Sequence, residues 1–127
     1  MTKAASSGAA PVGESITYTL GIVGSGGPLT LTDTLPAELG APDHLKVEGA
    51  GEVPVYDAPS HQLTWRAAPA AGQPVTITYS ASVQTHETLI LTNAAVLQTQ
   101  DGIAQTVEVA SLANPHRIVL PLVLRTL

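Results

Sequence analysis

Two stretches of this sequence alternate strictly between apolar and polar residues, and no other feature restricts the fold as much. The alternation runs through SITYTLGI at residues 15–22 and through PVTITYSASV at residues 74–83. A period of two residues is that of a β-strand, whose successive side chains point to opposite faces. Threonine and serine fill the polar positions, and β-branched threonine fits a pleated surface well. Both stretches therefore predict strands that bury one face and expose the other.

The rest of the chain has the pattern of shorter strands separated by turn residues. Clusters of Gly, Pro and Ala at residues 24–28 and 68–74 flank the long strands, and Asp101-Gly102 predicts a two-residue type I′ hairpin between the last two. The length of 127 residues suits one domain. We therefore expect an all-β fold: an immunoglobulin-like antiparallel β-sandwich of about seven to nine strands over residues 1–114.

The composition argues against several classes of function. The chain has no cysteine, which excludes disulfides, thiolate metal sites and cysteine nucleophiles. Its net charge is −5 and its five Lys and Arg residues are scattered, so we expect no nucleic-acid partner. The four histidines lack the spacing of a metal site and no cofactor motif is present, so we predict neither a metal nor a cofactor. No apolar run has the length of a transmembrane segment.

A carboxylate interrupts the apolar face of one predicted strand. In LTLTDTL, Asp33 has the same parity as the leucines at positions 29, 31 and 35, so it should point into the core. The same reasoning places Asn93 inward, in phase with Leu91 and Ala95. A buried carboxylate is costly unless it is neutral, paired or hydrogen-bonded. Asp33 and Asn93 are therefore the first candidates for a functional site.

Three motifs carry a resemblance to a known family. GESITYTL at residues 13–20, LTDTLPAEL at 31–39 and LTNAAV at 91–96 resemble, in this order, the prokaryotic surface-protein repeat of the "domain of unknown function eleven" type. The likeness covers about residues 2–113, and TDTLP is its most specific part. It departs from the family pattern at the turn Gly24-Ser25-Gly26. The resemblance implies an immunoglobulin-like sandwich in secreted or wall-attached proteins, without enzymatic turnover.

The chain is also similar to Gram-positive pilin and adhesin domains that form an internal Lys–Asn isopeptide bond. In those domains a first-strand Lys, a middle-strand Asp and a last-strand Asn follow one another, and here the order is Lys3, Asp33, Asn93. The resemblance implies a single-turnover reaction in which Asp33 is the catalyst and Lys3 and Asn93 are the cross-linked residues. The alternative is a hydrogen-bonded polar cluster, in which Asp33 accepts from backbone N–H groups or from Tyr18 or Tyr79, Asn93 caps a loop and Lys3 is solvated.

The C-terminal segment, residues 115–127, is apolar on both faces. One face would carry Ile118, Leu120, Leu122 and Leu124, which we take as candidates for self-association. Three interpretations remain open: a last strand of the domain's own sheet, a donor strand inserted into a neighbouring subunit, or a sorting tail.

These patterns predict a non-enzymatic structural domain of a secreted or cell-surface prokaryotic protein. It would act as a stalk, a spacer or a fibre subunit that self-associates into an oligomer or filament. The alternative is an adhesin module that binds carbohydrate or other surface proteins. Trp65 and Tyr56 could form a sugar platform, although Trp65 is in phase with Leu63 and fits the core better.

Overall fold

The fold is a two-sheet β-sandwich, as predicted. A computed structural model describes residues 1–115, and these contain strands and connecting turns but no helix. The strands are β1 (Thr2–Ala5), β2 (Ala9–Ala10), β3 (Ser15–Val23), β4 (Leu29–Thr34), β5 (Asp43–Glu48), β6 (Val55–Asp57), β7 (Gln62–Ala67), β8 (Pro74–Ser82), β9 (Leu89–Thr99) and β10 (Ala104–Ala113).

The two sheets divide the strands unequally. The four-stranded sheet has the order β1-β3-β8-β5, and the six-stranded sheet has the order β2-β10-β9-β4-β7-β6. All neighbours pair antiparallel except β2, which runs parallel to β10. The chain therefore crosses between the sheets twice near its N-terminus, from β1 to β2 and back to β3. This crossing leaves β1 at one edge of the four-stranded sheet.

The core follows the period-two pattern of the sequence. Along β3 and β8, every second residue is buried, and the two strands pair over their whole lengths. Because the chain has no phenylalanine, the largest side chains enclosed between the sheets are Trp65, Tyr18 and Tyr79, surrounded by Ile, Leu and Val. Trp65 is only 1% exposed, which confirms it as a core residue and rules it out as a sugar platform.

Two details differ from the sequence-based expectation. The described residues form ten strands rather than seven to nine, because the two-residue β2 and the three-residue β6 carry little pattern of their own. The type I′ hairpin prediction was wrong: β9 ends at Thr99, β10 begins at Ala104, and of the turn residues only Gly102 has a positive φ, of 88°. Type I′ requires positive φ at both central residues, and Asp101 does not have it.

The predicted self-association residues of the C-terminal segment lie outside the described residues. They are Ile118, Leu120, Leu122 and Leu124. Their role, and the division of the chain at residue 114, stay predictions.

Gly51 holds the backbone against the core tryptophan, so we expect Gly51→Ala to be strongly destabilising. Gly51 has φ +92°, and an added Cβ would lie 2.4 Å from Trp65 Nε1, which donates a hydrogen bond to Ala50 O. The alanine would be strained in this left-handed backbone conformation, and its Cβ would displace the Trp65 indole. Together these effects should lower the free energy of unfolding by about 3 kcal/mol. Urea unfolding measures this loss.

Gly72 is the matched control for that substitution. It has φ +82°, but a Cβ there meets nothing within 4 Å. Gly72→Ala should therefore cost only about 1 kcal/mol from backbone strain. Equal losses in the two variants would contradict the close approach at Trp65.

Candidate functional site

The predicted site residues come together between the two sheets. Lys3 comes from β1 in the four-stranded sheet, whereas Asp33 on β4 and Asn93 on β9 come from neighbouring strands of the six-stranded sheet. In the β4–β9 ladder, Asp33 pairs with Ala95, so Asn93 lies two residues along β9 on the same face. Diagonal neighbours on one face of a sheet are within reach of each other's side chains.

Four side chains form a closed ring of hydrogen bonds. The Lys3 Nζ donates to Asp33 Oδ1 at 2.5 Å and to Asn93 Oδ1 at 2.8 Å. On the opposite side, the Tyr79 hydroxyl donates to Asp33 Oδ2 at 2.6 Å and accepts from Asn93 Nδ2 at 2.8 Å. Each sheet supplies two members of the ring, since Tyr79 lies on β8. We call these four residues the polar ring.

The polar ring is shielded from water. The Lys3 side chain is 0% exposed, and Asp33 and Asn93 are both fully buried. Two tyrosine rings flank the lysine: the Nζ lies 5.4 Å from the Tyr18 centroid and 6.0 Å from that of Tyr79. The prediction that Asp33 and Asn93 point inward is confirmed, and the alternative of a solvated Lys3 is wrong. A lysine with its amine inside the core needs a compensating partner, which Asp33 provides.

Burial changes the proton affinities of the ring members. Desolvation lowers the pKa of the Lys3 ammonium, opposed by the charge of Asp33 and the hydrogen bond to it. Desolvation raises the pKa of Tyr79, and the Asp33 charge raises it further. An amine with a lowered pKa loses its proton more readily, and a phenol with a raised pKa keeps its proton. Burial therefore makes the Lys3 amine easier to deprotonate, while Tyr79 keeps its proton.

Tyr79 bridges Asp33 and Asn93, a role that the sequence did not predict. The sequence pattern placed Tyr79 inward and left Tyr18 and Tyr79 as alternative donors to Asp33, but it gave no sign of the second bond, from the Asn93 amide to Tyr79. Tyr18 differs from it. Its hydroxyl is buried near the Asn93 and Ser111 side chains without a hydrogen-bond partner among the described residues.

No other cluster of this kind is found in the part of the chain that the structure describes. Residues 1–115 contain no group of three His, Asp or Glu residues able to hold a metal ion. They also contain no helix that is long and apolar enough to cross a membrane. Tyr56, the other residue of the sugar-platform alternative, is half-buried, with its hydroxyl 3.4 Å from His61 Nδ1.

Solved structures with a similar fold come from Gram-positive surface proteins. The collagen-binding domain of a Staphylococcus aureus adhesin superposes with a TM-score of 0.60 at 9% identity, covering 87% of this chain and 95% of that one. A longer structure of the S. aureus collagen adhesin CNA gives 0.58 at 10% identity, covering 82% of this chain and 48% of that chain. The major pilin subunit BcpA of Bacillus cereus gives 0.54 at 14% identity, covering 84% and 36%.

This chain shares their immunoglobulin-like fold. Identities this low show the fold alone, and the chain spans about half the length of the CNA structure and about a third of the pilin. No protein-family model matches the sequence, and no curated protein matches it significantly. Membership of the "domain of unknown function eleven" type therefore stays a prediction from the motifs.

Proposed function

We propose that this chain is a non-enzymatic structural domain of a prokaryotic surface protein, of the "domain of unknown function eleven" type, and that it stabilises itself by a Lys3–Asn93 isopeptide bond. One observation carries the proposal: the buried Lys3 Nζ lies 2.8 Å from Asn93 Oδ1 and 2.5 Å from Asp33 Oδ1. The shared fold of adhesin and pilin domains supports a location outside the cell. A self-directed reaction needs no substrate cleft.

The chemistry follows from the contacts of Lys3. A proton passes from the Lys3 ammonium to Asp33 along their hydrogen bond, which turns a buried ion pair into two neutral groups. The amine is then a nucleophile beside the Asn93 carboxamide, whose carbon Cγ is one bond from the contacted Oδ1. The bond from Nζ to Cγ forms, the bond from Cγ to Nδ2 breaks, and ammonia leaves.

The resulting bond would have a clear structural effect. It joins β1, an edge strand of the four-stranded sheet, to β9 inside the six-stranded sheet. The chain contains no cysteine, so disulfides cannot supply such a link. A covalent bond across 90 sequence positions restricts the unfolded chain as a long disulfide loop does. A stalk or fibre subunit would gain stability without depending on the redox state of its surroundings.

We expect the intact mass of the purified chain to be lower than the sequence mass by one molecule of ammonia. Lys3→Met removes the nucleophile, and its product should keep the full mass calculated for its sequence. Proteolysis and peptide mapping should then give a branched peptide that joins Lys3 to Asn93 in the wild type alone. An unmodified wild-type mass would remove the covalent bond from the proposal and leave a buried polar cluster.

A binding module is the second candidate, and a surface groove favours it. Beside the edge strand β6, a groove of about 280 Å³ is lined by Val53, Val55, Thr64 and Trp65, with Glu52 and Arg66 as its charged members. Val53 and Val55 are 50% and 72% exposed. Exposed apolar residues next to a strand edge that is unpaired within residues 1–115 suit an extended peptide partner. The two functions are compatible, because the polar ring lies in the core and the groove on the surface.

A further inference from the structure

The hydrogen bonds of the polar ring give Asp33 no direct contact with the leaving group. Asp33 Oδ1 accepts from Lys3, and Asp33 Oδ2 accepts from Tyr79. The nitrogen that must leave, Asn93 Nδ2, bonds to the Tyr79 hydroxyl at 2.8 Å. The proton lost by Lys3 must reach this nitrogen before ammonia can depart. We propose that Tyr79 relays this proton from Asp33 to Asn93 Nδ2, an inference that rests on the isopeptide reaction proposed above.

The hydroxyl of Tyr79 can act in this way because it both donates and accepts hydrogen bonds. In the starting amide, Asn93 Nδ2 is planar and only donates, as it does to Tyr79. Once Lys3 has attacked, Cγ becomes tetrahedral and Nδ2 becomes an amine with a free lone pair. The Tyr79–Asn93 and Tyr79–Asp33 hydrogen bonds then both reverse their directions, so that Tyr79 accepts from Asp33 and donates to Nδ2. The relay therefore operates only after attack, when the leaving group needs a proton.

The proton transfers balance without any external acid. Asp33 already holds the proton taken from the Lys3 ammonium, and a half-turn of its carboxyl group carries this proton from the Lys3 side to the Tyr79 side. The attacking Nζ then loses its second proton to the Asp33 oxygen that faces it, while Asp33 releases the first proton to the Tyr79 oxygen. Tyr79 passes its own proton to Nδ2, and the bond from Cγ to Nδ2 breaks to release ammonia. Asp33 and Tyr79 each end with the protons they held before this step. The net result is one proton moved from the Lys3 nitrogen to the Asn93 nitrogen.

The environment of Tyr79 suits a neutral relay. Tyr79 is 0% exposed. Burial raises the pKa of its hydroxyl, so the phenolate form is disfavoured. A relay that gains one proton as it gives up another never carries a full charge. General acid–base steps of this type accelerate reactions by about 10²–10⁴-fold.

Tyr18 provides a matched control within the same core. Its ring centroid lies 5.4 Å from that of Tyr79, and it is equally buried. Its hydroxyl makes no hydrogen bond in the described structure, so it takes no part in the ring. Tyr79→Phe and Tyr18→Phe remove the same atom from neighbouring positions.

The test follows cross-linking of the full chain over time. Cell-free synthesis is stopped at intervals in denaturant, and intact mass gives the fraction that has lost ammonia. We expect Tyr79→Phe to slow the reaction by about 10²–10⁴-fold, whereas Tyr18→Phe should react at close to the wild-type rate. Emission from Trp65, the only tryptophan, reports whether each variant has formed its core.

A second experiment distinguishes a proton relay by Tyr79 from a role in which Tyr79 only positions Asp33 and Asn93. Tyr18→Phe/Tyr56→Phe leaves Tyr79 as the only tyrosine, and fluorotyrosine incorporated there changes the acidity of the phenol while keeping its oxygen. A relay predicts that the rate changes with this acidity, and a purely structural role predicts that it does not. Rapid cross-linking in folded Tyr79→Phe, or a rate independent of fluorination, would overturn the relay while the isopeptide stands. A wild type that never loses ammonia would instead overturn the reaction itself.

Discussion

Asp33→Ala is expected to lower the free energy of unfolding by about 8 kcal/mol, more than any other single substitution described above. The Lys3 ammonium would lose its charged partner in a site where its side chain is 0% exposed. Leaving one member of a buried pair alone costs about 3–5 kcal/mol. The cross-link would also fail, since nothing else in the ring accepts the lysine proton. The sum is comparable to the total stability of a small domain, about 5–15 kcal/mol.

A second substitution should repair part of this damage. Lys3→Met/Asp33→Ala removes the orphaned charge and puts an apolar side chain of similar length in its place. We expect this double variant to be more stable than Asp33→Ala by about 3 kcal/mol, although it lacks two members of the ring. Thermal unfolding by circular dichroism compares the two. Equal stability would show that Lys3 is not a buried charge in the uncross-linked protein.

Asn93→Ala should lower the free energy of unfolding by about 5.5 kcal/mol, most of it from the lost cross-link. This substitution keeps the Lys3–Asp33 pair and the Tyr79–Asp33 hydrogen bond, so no charge is left alone. Restricting a loop of about 90 residues stabilises a protein by roughly 4–5 kcal/mol in the chain-entropy treatment. Urea unfolding of the wild type and the variant, each checked by intact mass, measures the difference.

The control for this prediction is the same substitution where no bond can form. In a Lys3→Met background, Asn93→Ala should cost only about 1 kcal/mol, the value of a lost neutral hydrogen bond. The losses of unfolding free energy caused by Lys3→Met and by Asn93→Ala should therefore be strongly non-additive. Similar costs in both backgrounds would show that Asn93 contributes through packing rather than through a covalent bond.

The alternation of inward and outward positions along the strands was enough to predict two members of the polar ring. Asp33 and Asn93 lie on strands whose other inward residues are apolar, so each stands out as a polar residue in a buried row. Lys3 had no such signal, because β1 is short and alternates only between exposed and half-buried residues. The order of motifs in the family resemblance was needed to name it. Its burial depends on how β1 packs, which the sequence of β1 does not encode.

The bridging role of Tyr79 could not be predicted for a similar reason. The pattern of β8 shows that Tyr79 and Tyr18 both point inward, on paired positions of adjacent strands. Which hydroxyl reaches Asn93 depends on distances between the two sheets, and these are set by the packing of the whole core. The parallel pairing of β2 with β10 is equally hidden, since Ala9 and Ala10 show no alternation of their own.

A cross-link between Lys3 on β1 and Asn93 on β9 would determine how the domain carries tension. With the bond in place, a pull on the two ends passes from Lys3 directly to β9 and leaves through β10. The residues between positions 3 and 93 lie outside that path. Of the described residues, only those from 94 to 115 can then extend, by at most about 3.5 Å each. A row of such domains would yield under load by short, fixed steps and would keep most of each core folded.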